Sequence, residues 1–114
     1  MIGVTFEAIE RAEGWLAGRI VLANPLPLCV GHFPKMPILP GFAQLLLVPE
    51  LWRIAHGGSA YLSHVARARF RTAVIPGDVL RLELRGKAAA LRFSLVRGRE
   101  RMAEGLVALS TSTA

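Results

Sequence analysis

The chain has 114 residues, 53% of them hydrophobic, and its 14 Lys+Arg against 8 Asp+Glu give a formal net charge of +6. That length fits one domain, 1–114, with a single core, and the apolar content excludes a mainly disordered chain. One cysteine, Cys29, excludes an intrachain disulfide and a cysteine-based metal cluster, while three histidines and one aspartate without ligand spacing point to no metal. No apolar run approaches the ~20 residues that span a bilayer, and no basic, signal-like leader precedes Val4, so the expected compartment is a reducing cytoplasm.

Two strands are expected between Val4 and Ala23, divided at Glu13-Gly14. Val4, Phe6 and Ala8 alternate with Thr5, Glu7 and Ile9, and Trp15–Leu22 is rich in strand formers. Five of the seven prolines lie between Asn24 and Pro40, which predicts an ordered loop rather than a helix. The stretch from Phe42 to His56 then reads as a helix, opened by Pro40-Gly41 and stopped by Gly57-Gly58. It is apolar almost all round, so it is expected to be enclosed by protein, with a kink or a loosened backbone bond at Pro49.

The rest reads as four strands. Between Tyr61 and Val74 the alternation places Val65, Arg67, Arg69 and Arg71 on one side and Ala66, Ala68 and Phe70 on the other. Leu80, Leu82 and Leu84 alternate with Arg81, Glu83 and Arg85; Leu91, Phe93 and Leu95 alternate with Arg92, Ser94 and Val96; Met102 to Leu109 closes the series. Reversals are expected at Pro76-Gly77-Asp78, Gly86-Lys87 and Arg97-Gly98-Arg99. Strand, strand, buried helix and four strands predict an α+β fold, a curved antiparallel sheet wrapped round one long helix.

Chemistry concentrates in Gly31-His32-Phe33-Pro34-Lys35-Met36-Pro37-Ile38-Leu39-Pro40-Gly41. It puts an imidazole on a proline-stiffened loop just before a helix N-terminus, whose unpaired amides can hold an anion or a developing oxyanion. A histidine there can take a proton from carbon next to a carbonyl while the Gly41 amide stabilises the enolate-like charge.

The run Gly-His-Phe-Pro-x-x-Pro-Ile-x-Pro-Gly closely resembles the signature loop of the 3-hydroxyacyl-acyl carrier protein (ACP) dehydratases, a hotdog-fold family of fatty acid synthesis. Downstream, Ala68-Arg69-Phe70-Arg71-Thr72-Ala73-Val74-Ile75-Pro76-Gly77-Asp78-Val79-Leu80 is similar to that family's Arg-Phe-Arg…Pro-Gly-Asp segment. Pro40-Gly41-Phe42-Ala43-Gln44-Leu45 most resembles the short dehydratases of aryl polyene and related pigment clusters. The resemblance covers roughly Val4 to Leu109. It implies a helix wrapped by a sheet, a second subunit whose sheet joins the first, and substrate thioesters in a tunnel at the subunit boundary. It also implies no cofactor beyond the phosphopantetheine of ACP or coenzyme A that carries the substrate.

By the same resemblance, His32 matches the base that removes the C2 proton and Gly41 the glycine that holds the thioester oxygen. Phe33, Pro40, Phe42 and Leu46 fall along the implied substrate path. The family's second catalytic group is an Asp or Glu fourteen positions after the histidine, supplied across the subunit boundary to protonate the leaving 3-hydroxyl. Here that position is Leu46, and leucine cannot donate a proton. Glu50, one helical turn (about 6 Å) further on, is a weak candidate for the acid and aligns with a glutamine position of the family. Three readings follow: a dehydratase working through Glu50 or water, a catalytically impaired acyl-thioester-binding subunit, or half of a mixed dimer whose other subunit brings the carboxylate. A hotdog thioesterase is the remaining alternative.

Other residues have plainer readings. Glu50 is expected to pair with Arg53 or a sheet arginine, His56 to help end the helix, His64 to be structural, and Cys29 to line the tunnel mouth without acting as a nucleophile. Arg67, Arg69 and Arg71 form a concentrated positive field and are the candidate docking surface for an acidic carrier protein. Nucleic acid is not expected, because basic residues are not interleaved with aromatics and no helix is rich in Lys/Arg.

Overall fold

The computed structural model describes residues 1–29 and 37–112. Six strands and one helix follow in the expected order: β1 (Val4–Ala12), β2 (Trp15–Leu22), α1 (Gly41–His56), β3 (Ser59–Phe70), β4 (Val79–Lys87), β5 (Ala90–Arg97) and β6 (Glu100–Ser112). A short 3₁₀ turn, Pro27–Cys29, lies in the loop after β2. All strands pair antiparallel in one sheet of order β1-β2-β4-β5-β6-β3, leaving β1 and β3 as its edges. One sheet face packs on α1, the arrangement of a hotdog fold.

Period-two alternation decides which residues make the core. Leu80, Leu82 and Leu84 are buried while Arg81 and Arg85 are exposed, and Leu91, Phe93 and Leu95 repeat the pattern on β5. These side chains meet Leu16, Ile20 and Leu22 from β2, Met102, Ala103 and Val107 from β6, and Leu47, Val48 and Leu51 from α1. The helix is continuous through Pro49, which is buried, and ends where the Gly57 amide bonds to the Arg53 carbonyl (2.8 Å) at φ +77°.

Four expectations need correction. The helix is not enclosed on every side: Phe42, Leu46 and Ile54 are exposed, so α1 has an open apolar stripe. In β1 a register shift between Glu7 and Glu10, with Ala8 at φ +50°, turns Ile9 rather than Ala8 toward the core. In β3 a second shift between Val65 and Arg67 sets Val65 opposite buried Val107 and Arg67 opposite Leu106, so the two do not share a face. The reversal expected at Gly86-Lys87 falls at Ala88-Ala89, because both residues still pair in β4, opposite Leu91 and Ala90.

Candidate active site

The site is built where α1 begins. Pro40 is extended (φ −61°, ψ 154°), and its carbonyl receives both the Ala43 and Gln44 amides at 3.0 Å, which starts the helix without a side-chain cap. Among the described residues the Gly41 and Phe42 amides have no acceptor, so two of the four donors that a helix start leaves over remain available. Such donors stabilise negative charge through both their partial charges and the helix dipole.

Leu39 fixes the direction of these amides. Its amide donates to the Val74 carbonyl (2.7 Å) and its carbonyl accepts from Gln44 Nε2 (3.0 Å), while its side chain is buried. Gln44 is only 5% exposed, and its Oε1 has no partner among the described residues. Its role depends on a main-chain acceptor, which no residue type announces.

The loop that receives Leu39 is held in turn by Asp78. Its carboxylate, 9% exposed, accepts the Ile75 amide at 3.0 Å and lies 3.2 and 3.0 Å from Arg97 Nη1, while its own carbonyl accepts the Leu22 amide. The Pro-Gly-Asp turn therefore ties the end of β2, the β3–β4 loop and the approach to α1 together. Arg97 also bonds Glu100, and those two bonds, Glu100 first, hold the guanidinium more firmly protonated than usual.

Gly41 has a second reason to be glycine. A Cβ there would lie 2.8 Å from the ring of Phe70, which comes from the end of β3 and is 43% exposed. Phe70 is thus a site residue that the alternation sets on the side opposite Arg67 and Arg69 without indicating its contact with Gly41. Phe42 (62% exposed) and Leu46 (45% exposed) follow Gly41 on one helix face, so the position expected to carry a carboxylate presents an apolar side chain at the surface. His32 and Phe33 lie outside the described residues.

Glu50 stands about 13.5 Å along the helix axis from Gly41. Its Oε1 is 2.6 Å from Arg53 Nη2 and 3.7 Å from the Met1 amine, so the carboxylate is engaged by cations rather than directed at the helix start. Cys29 is buried, and burial pushes its thiol up, away from the thiolate a nucleophile needs. Arg67 and Arg69 lie on the sheet face turned away from α1, opposite Leu106 and Glu104, and Arg71 is tied to Glu104 at 3.3 Å. The arginine row and the helix start are therefore on different faces of the molecule. No group of three potential metal-binding side chains occurs among the described residues, and no helix there is long and apolar enough to cross a membrane.

A family model for the ApeI-like dehydratases matches residues 9–106. The chain belongs to that family. A 3-hydroxyacyl-[acyl-carrier-protein] dehydratase FabZ of Pelotomaculum thermopropionicum is 34% identical over 85% of this chain and 77% of that protein. The corresponding proteins of Clostridium novyi (41% identical, 47% of this chain) and Rhodospirillum rubrum (39%, 65% of this chain) match over 43% and 51% of their own lengths. The chain thus spans about half the length of several curated relatives it matches. In three dimensions it is similar to a chain of the dehydratase heterocomplex ApeI:P from Xenorhabdus doucetiae, with TM-score 0.80, 23% identity and coverage of 92% of this chain and 96% of that one. The Escherichia coli PaaI protein shares the fold at TM-score 0.64 and 15% identity, over 99% of this chain and 82% of that one. Membership supports both the hotdog architecture and a dehydratase-type lyase ancestry.

Proposed function

We propose that the chain acts on 3-hydroxyacyl thioesters, removing water to give the 2-enoyl thioester in fatty acid or polyene-type synthesis. The observation that carries this reading is the Gly41 amide at the start of α1, without an acceptor among the described residues, held in place through Leu39 and backed by Phe70. The thioester oxygen accepts that amide. His32 takes the C2 proton, the resulting charge spreads onto the oxygen, and its collapse expels the 3-hydroxyl, which leaves as water once protonated. The substrate arrives on the phosphopantetheine of ACP or on coenzyme A, and no further cofactor enters the chemistry.

The proton for the leaving hydroxyl is the step this chain does not equip. Leu46 occupies the place of the acid, and Glu50 is committed to Arg53. A mixed dimer is therefore the favoured working unit, with a related hotdog subunit presenting a helix carboxylate to His32. Two observations support it: the exposed apolar side chains Phe42 and Leu46 of α1 beside Phe70 of β3, whose ring lies against Gly41, and the heterocomplex in which a similar chain is found.

The test is hydration of a 2-enoyl thioester by the chain alone and by the complex co-expressed with a carboxylate-bearing homologue. The complex is expected to exceed the chain alone by ~10²–10⁴, the usual worth of a general acid, and His32→Ala should abolish its activity at this chain's site. Leu46→Asp in the chain alone should recover part of that factor. Equal turnover by chain and complex, unaffected by His32→Ala, would sink the proposal. Release of free thiol from the acyl thioester would instead identify a thioesterase.

A further inference from the structure

The sheet face turned away from α1 carries a cavity that the proposed reaction does not use. It measures about 230 Å³ and is lined by four arginines, Arg67 from β3, Arg85 from β4, Arg92 from β5 and Arg101 from β6, with Ser94 between them. Two carboxylates, Glu83 and Glu104, also border it. Both are already engaged: Glu83 by Arg85 Nε at 2.9 Å, and Glu104 Oε2 by Arg71 and Arg101 at 3.3 Å each. Arg67 and Arg92 make no ion pair among the described residues.

The cross-strand register makes this arrangement costly when empty. Arg85 and Arg92 stand directly opposite each other on β4 and β5, and like charges in that relation repel. Elsewhere on the sheet the same problem is solved internally. Arg19 and Arg81 are also opposite one another, but each reaches its own glutamate, Glu7 at 3.1 Å and Glu10 at 3.5 Å. At Arg85 and Arg92 only one of the pair is neutralised. Two unpaired guanidinium forks and a hydroxyl thus converge on one concavity drawn from four strands.

We infer that this cavity is a binding site for a phosphate or diphosphate group. Guanidinium forks match the paired oxygens of such groups and remain charged at any physiological pH. The volume lies below the ~300–1,000 Å³ of pockets that enclose whole drug-sized ligands, so the site suits a compact anion or the charged end of a larger molecule. The site lies across the sheet from α1, and the inference does not depend on the dehydratase reading.

Calorimetric titration of the full chain with inorganic phosphate and, separately, with pyrophosphate tests it, both at ionic strength held constant with sodium chloride. Saturable binding of one anion per chain is expected. The double variant Arg67→Ser/Arg92→Ser should raise Kd at least tenfold, whereas Arg99→Ser, an exposed turn arginine outside the cavity, should leave it unchanged. Pyrophosphate at least tenfold tighter than phosphate assigns the site to a diphosphate, and equal affinities assign it to a single phosphate. Should the double variant not fold, Arg92→Gln alone carries the same expected weakening. No saturable binding of either anion, or binding that these variants leave intact, overturns the inference.

Discussion

At Gly41 one residue answers two demands: its amide starts the helix without an acceptor among the described residues, and the Phe70 ring lies against its α-carbon. Gly41→Ala is therefore expected to cost ~1–3 kcal/mol by overpacking, and Phe70→Leu in the same chain should recover much of it. A double-mutant cycle from urea unfolding measures that coupling, and additive costs would show that the ring yields freely. The glycine itself was legible in the sequence, since Pro-Gly before an apolar run marks a helix start. Its contact with Phe70 was not, because nothing local tells which strand residue will cover it. Glu50 shows the converse case. Its pairing with Arg53, three residues on, was readable from helical spacing alone. Leu46 was legible as a departure only through the family motif; its surface position needed the fold.

At the level of elements, the alternating leucines of β4 and β5 and the apolar run of α1 were strong enough to place one helix and six strands in order. Bulges were invisible to that logic, since an extra residue changes every later side chain's face without changing composition, as Ile9 and Val65 demonstrate. The connection between β3 and β4 depends most on one side chain, Asp78. Asp78→Asn weakens its bonds to Arg97 and the Ile75 amide, and is expected to cost roughly 2–3 kcal/mol. It should also lower activity, because the loop it holds supplies the Val74 carbonyl that anchors Leu39. Unchanged stability in denaturant would remove Asp78 from that role. The far end of α1 should respond to pH. His56, whose ring meets Trp52 at 4.3 Å with a 45° tilt, is held below its ordinary value of 6.5 by desolvation and then by Arg11. The folded chain therefore favours the neutral ring: this contribution is complete above pH 6.5 and is lost as pH falls through the lower folded-state value. Tm is expected to fall between pH 7.5 and pH 5, and His56→Gln should narrow the drop. Glu100, lowered mainly by its bond to Arg97 and next by Thr72, loses its contribution only in the more acid carboxylate range, which separates the two effects.

For the whole molecule, the arginine cluster of the outer sheet face and the open apolar stripe of α1 occupy different surfaces. Repulsion on the arginine face and cohesion on the helix face need not interfere, so association can be driven from one side while an anion is met on the other. Phe42→Glu is expected to abolish or sharply weaken association with a partner subunit while leaving the Tm of the isolated chain within a few degrees. Sedimentation of the complex checks the first expectation and calorimetry the second. The sheet order adds a temporal constraint. Strand β3, which borders that stripe, has among the described residues its only sheet partner in β6, Glu100–Ser112, and the residues it pairs with are translated after β4 and β5. A nascent chain on the ribosome therefore carries β3 with both edges unpaired until β6 emerges, and long-range pairing of this kind is slow to form. The surface that β3 borders is thus complete only after β6 has been synthesised, so whatever docks on it meets a finished fold rather than a growing chain.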